Sequence, residues 1–108
     1  MPLEPQASAD MLKQFLKDSP EDSATRLIYA QSLLAGKQKA EFTAQAKLLT
    51  TKKLTGTQWI QLGEMAEQNG EPKIAETAYS TFLKTEQKAP ADERNLAYIR
   101  LGFLSENQ

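Results

Sequence analysis

Apolar residues recur at three- and four-residue intervals along nearly the whole chain, and a short stop and start signal stands at each break in that rhythm. Leu12, Phe15 and Leu16 keep the spacing in "SADMLKQFLKDSP", and Leu27, Ala30, Leu33 and Leu34 keep it in the next segment. Residues so spaced share one face of an α-helix, and strand-like alternation is nowhere sustained. In "DSPEDS", Ser19 is placed to cap a helix with Pro20 at its first position and Glu21 and Asp22 in its first turn. Gly36 in "LAGKQKA" can end a helix, Thr55 or Thr57 in "LTGTQ" can cap the next, and "NGEPK" joins a glycine stop to a proline start. "KAPADERN" again sets proline before acidic residues. These signals predict an all-α chain of about six helices, over 8–18, 20–35, 38–52, 57–69, 72–86 and 91–106, behind a disordered or introduced N-terminus at 1–7. Connections this short make neighbouring helices antiparallel.

The same residues restrict chemistry. The 108-residue chain contains no cysteine and no histidine, which removes disulfides, thiolate and imidazole metal ligands and the commonest general base. No catalytic residue, metal site or cofactor is therefore expected. Thirteen basic and 14 acidic side chains leave a formal charge of −1, which offers no electrostatic footprint for nucleic acid or anionic membrane. The apolar runs, such as "RLIYAQSLLAG", are interrupted too soon to span a bilayer, so membrane insertion is not expected.

Comparison of the helical segments reveals an internal repeat. "RLIYAQSLL", "WIQLGEMAE" and "YIRLGFLSE" each follow an apolar residue with a small one, at Tyr29-Ala30, Leu62-Gly63 and Leu101-Gly102. The small positions lie 33 and 39 residues apart, bracketing the period of a helix-turn-helix repeat of about 34 residues. Gly63 costs about 1 kcal/mol of helix propensity against alanine. A close approach of the next helix offsets that cost, with Ala75 as the matching small residue and Tyr79 as the aromatic plug.

From Trp59 to Leu83 the chain resembles a tetratricopeptide repeat. Trp59, Leu62, Gly63, Gly70, Ala75 and Tyr79 fall on that signature, with departures at Ala66 and Phe82. A poorer match precedes it, with Arg26 in place of tryptophan and Phe42 where a small residue is expected. The resemblance implies a single domain over 8–108, an α-solenoid built from a half repeat (8–18), repeats over 20–52 and 57–86, and a half repeat (91–106). The order "LIYAQSLL", "AETAYSTFL", "DERNLAYIRLGFLSEN" is also similar to the middle of longer proteobacterial tetratricopeptide proteins. That similarity implies a bacterial scaffold cut from a larger chain, periplasmic or cytoplasmic.

Tempting side chains have plainer readings. Trp59 and Tyr79 stand where the signature seals a helix pair, and Tyr29, Tyr98 and Phe103 are read as packing. Phe103 is the least covered of these, because its helix lacks a partner. Glu64, Glu67 and Glu71 read as a solvated helix face rather than an acid-base pair or metal site. Lys52 and Lys53 read as cations at a helix C-terminus.

An interaction module is the function this pattern implies; a purely structural solenoid segment or an assembly module of a larger envelope protein is the alternative, and an enzyme is not expected. Transferring the inward-facing positions of the family gives a partner-binding groove of Leu27, Gln31, Ile60, Glu64, Glu67, Ile99 and Phe103, with Gln61 and Arg100 on its edge. The implied partner is a protein or peptide segment held by apolar anchors, with basic flanks toward Glu64 and Glu67. The apolar residues around Leu101 and Leu104 are expected to be only partly covered, which favours a homodimer through the terminal helix.

Overall fold

A computed structural model describes the backbone of residues 5–106 and the side chains of residues 7–106. It is all-α, with six helices and no strand among the described residues: α1 (Pro5–Asp18), α2 (Ser23–Ala35), α3 (Lys39–Leu49), α4 (Gly56–Gln68), α5 (Pro72–Thr85) and α6 (Ala91–Glu106). The expectation for the N-terminus lies outside the described residues for 1–4, while residues 5–7 open α1. No helix among the described residues is long and apolar enough to cross a membrane.

Helix ends follow local hydrogen bonding more than composition. Ser19 and Pro20 do not start α2. Asp22 is its N-cap and accepts from the Thr25 amide at 3.0 Å. Pro20 stays in the connection, where its carbonyl accepts from Arg26 Nη2 at 2.8 Å. Gly36 ends α2 as its C-cap, as the sequence predicts, and the left-handed residue beyond it is Lys37, with φ of 60°. Thr55 caps α4 in a reciprocal box with Gln58, satisfying two backbone amides that a helix start leaves unpaired. Gly70 ends α4 with φ of 70°, where a β-carbon is disfavoured, and Pro72 opens α5 without losing a hydrogen bond. α3 stops at Leu49, so Lys52 lies past the helix and its Nζ pairs with Glu21 at 3.3 Å.

The chain divides into two compact units, the first ending at Lys53 and the second beginning at Leu54. In the first unit α2 packs against both α1 and α3. Arg26 takes the place expected for tryptophan: its guanidinium is buried, donating to Gln45 Oε1 at 2.7 Å as well as to Pro20. Ala30, Phe42 and Ala46 are fully buried beside Leu33 and Leu49. Relative to Ala75 and Tyr79 of α5, the bulky ring in α3 has moved one turn toward the N-terminus, to Phe42, while Ala46 takes the plug position. That exchange keeps volume in the core while reversing its order along the helix.

In the second unit α5 packs against both α4 and α6. Trp59, Leu62, Ala66, Ala75, Tyr79 and Phe82 are all buried. α4 and α5 run antiparallel, since the start of α4 at Gly56 faces Phe82 and Glu86 while Gly63 faces Tyr79. A β-carbon on residue 63 would stand 2.7 Å from Tyr79 Cζ and 2.8 Å from Cε1. Glycine is thus required by a close approach to the Tyr79 ring itself, with Ala75 buried elsewhere along the same helix.

Candidate functional site

The close approach at Gly63 carries the Tyr79 hydroxyl across to α4, where it donates to Glu67 Oε2 at 2.8 Å. One turn separates Gly63 from Glu67, so both belong to the α4 face that meets α5. From α6, Arg100 Nε donates to both oxygens of the same carboxylate, at 3.0 and 3.1 Å, and Nη2 donates to Oε1. Three helices are therefore tied at one carboxylate. Burial pushes the Tyr79 phenol well above its ordinary value of 10.0, and its hydrogen bond to Glu67 acts in the same direction. The guanidinium of Arg100 also lies over the Phe103 ring, 5.0 Å from its centroid.

Beside this cluster lies a shallow surface pocket of about 470 Å³, lined by Glu64, Glu67, Gln68, Tyr79, Leu96 and Arg100. Glu64 is exposed and Ile60 half-buried. Ile99 and Phe103 are exposed on α6 together with Leu96 and Tyr98. Tyr98, read from sequence as packing, is thus a surface side chain with Arg94 over its ring at 5.9 Å. Arg94 in turn donates to the Glu86 carbonyl at 2.7 Å and the Leu83 carbonyl at 3.2 Å, fastening the start of α6 to the end of α5. The uncovered apolar surface was expected around Leu101 and Leu104. Leu104 is buried and Leu101 half-buried, because α6 turns that side toward α5.

In the first unit Gln31 is exposed, but Leu27 is buried in line with Ala30 and Leu33, so it presents no surface; its neighbour Ile28 is exposed instead. Glu67 also departs from a solvated acidic rim. Its side chain is 16% exposed and its acceptors are taken by Tyr79 and Arg100. Of the two carboxylates assigned to basic flanks, Glu64 is the one open to solvent. The ties to Arg100 and the exposure of Leu96 and Tyr98 escape sequence reasoning, because Glu67 and Arg100 are 33 residues apart and no local spacing links them. Among the described residues, no group of three or more Asp or Glu side chains stands where it could hold a metal ion.

Comparison with protein-family models, with curated proteins and with solved structures found no match.

Proposed function

We propose that this chain is a non-catalytic interaction module of tetratricopeptide type that holds a segment of another protein. The observation that carries the reading is the exposure of Ile99 and Phe103 on α6, next to the pocket that Glu64 and Leu96 line. Large exposed apolar residues rimmed by charge are characteristic of docking surfaces. Glu67 and Arg100 neutralise one another, so Glu64 supplies the charge that favours a lysine or arginine on the partner. The bound segment is helical or extended, anchored by apolar side chains.

Panning a displayed peptide library tests this. Wild-type protein should enrich peptides that combine apolar anchors with basic flanks, and Glu64→Lys should lose the basic preference. A double variant Ile99→Ser with Phe103→Ser should enrich none of them. Recovery of the same peptides by the double variant would overturn the proposal.

A further inference from the structure

Residues 8–17, "SADMLKQFLK", and residues 75–84, "AETAYSTFLK", align without a gap and share Phe-Leu-Lys. They occupy α1 and α5, and each is followed by a helix whose arginine ties back to a carbonyl just past the preceding helix. Arg26 Nη2 donates to the Pro20 carbonyl at 2.8 Å and Arg94 Nη1 to the Glu86 carbonyl at 2.7 Å. The pair α1·α2 thus repeats the pair α5·α6. The difference lies on the other side, where α5 packs against α4 while the corresponding face of α1 is uncovered among the described residues. Phe82 is 1% exposed, whereas its counterpart Phe15 is 49% exposed.

The converse holds for α6. The "LG" at Leu62-Gly63 in α4 recurs at Leu101-Gly102 in α6. Gly63 is closed by Tyr79, but a β-carbon on Gly102 would meet nothing within 4 Å. Trp59 is 4% exposed and its counterpart Tyr98 is 57% exposed. Each terminal helix therefore presents what the other lacks: α6 has the α4-type face open, and α1 has the α5-type face open.

We propose that α6 of one molecule pairs antiparallel with α1 of a second copy, reproducing the α4·α5 packing between molecules. Leu12 then seats over Gly102 as Tyr79 seats over Gly63, and Phe15 covers the side on which Tyr98 is exposed. Charge agrees with this direction. In α5, Lys84 lies along the first turn of α4, lining one pocket with Thr55 and Gly56. In the same register the matching Lys17 of α1 falls beside Asn95 of α6, within one turn of the exposed Asp92, while the neighbouring Arg94 is turned to the Leu83 and Glu86 carbonyls. An antiparallel α6·α6 pair would instead bring Asp92 and Glu93 toward Glu106 of its mate, like charge against like. Because the two faces differ, the contact is heterologous: one molecule keeps its α1 face open and the other its α6 face. This goes beyond the partner reading, since it uses the sector of α6 that carries Tyr98 and Gly102 and leaves Ile99 and Phe103 alone.

Sedimentation equilibrium of the 108-residue chain over a wide concentration range should show mass rising above the monomer. Gly102→Leu fills open space in a helix, so its thermal stability should hold or increase while self-association falls at least tenfold. Phe15→Lys, with its fold verified by circular dichroism, should be monomeric at the same concentrations. Mixing the two variants should restore a one-to-one heterodimer, because Gly102→Leu keeps a good α1 and Phe15→Lys keeps a good α6. A wild-type monomer at every concentration overturns the proposal. So does undiminished association of Gly102→Leu, or a mixture of the two variants that stays monomeric.

Discussion

The Tyr79 ring stands where residue 63 would place a β-carbon, 2.7 Å from Cζ, and the ring is itself fully buried. It has no free end to swing aside, so any side chain at residue 63 must push α4 and α5 apart. Gly63→Leu is expected to destabilise the protein by about 1–3 kcal/mol through overpacking. Helix propensity opposes this by about 1 kcal/mol. Gly102→Ala is the control, because the space there is open and propensity alone should stabilise by up to about 1 kcal/mol. Urea denaturation midpoints should move in opposite directions for the two variants.

Glu67 and Arg100 form a two-pronged pair whose side chains are 16% and 34% exposed. Solvent screens part of their attraction, so the pair alone contributes on the order of 1 kcal/mol. Glu67→Lys does more than remove it, since Tyr79 loses its acceptor and two cations are left side by side. A loss of about 1–3 kcal/mol is expected. Adding Arg100→Glu should recover part of that loss, and a thermal-denaturation double-mutant cycle reads the coupling. Strictly additive effects would mean that the two side chains do not interact in solution.

The α2 start separates two residues that are equally good caps by type. Asp22 accepts from the Thr25 amide, whereas Ser19 lies outside the helix. Asp22→Ala should cost about 1 kcal/mol, as should Thr55→Ala at the capping box of α4, while Ser19→Ala should stay within about 0.5 kcal/mol of wild type. Chemical denaturation of the three variants distinguishes them.

What the sequence could convey was set by distance along the chain. Helix periodicity and the stops at Gly70 and Pro72 act over a few residues, and they are legible. Gly63 is legible as a close approach because its helical context makes glycine costly, and Tyr79, read from the sequence as the aromatic plug, is the residue that fills the gap. In α3 the same core volume arrives as Phe42 and Ala46, so the signature blurs although burial is preserved. The candidate site fares worse. Glu67 reads as a surface acid until the fold brings Arg100 and Tyr79 to it, and Leu27 reads as groove-lining until α2 turns it inward. Exposure of Leu96 and Tyr98 is a property of what covers α6, which no residue of α6 encodes.

The Tyr79 phenol gives the fold an alkaline limit. Its proton is held above the ordinary value of 10.0, first by burial and then by the hydrogen bond it donates to Glu67. In the unfolded chain the same phenol titrates near its ordinary value. Below that pH both states carry the proton and stability does not depend on it. As pH rises past 10 the unfolded chain loses the proton while the folded chain keeps it, so the unfolded state binds fewer protons and stability falls. Tyr29 is shifted upward as well, by burial and then by Glu41, and adds to the same trend. Tyr79→Phe should cost about 1 kcal/mol at neutral pH through the lost hydrogen bond. It should also flatten the decline in denaturation midpoint between pH 9 and 11, leaving the smaller slope due to Tyr29. A slope as steep in Tyr79→Phe as in wild type would assign the alkaline loss to other groups.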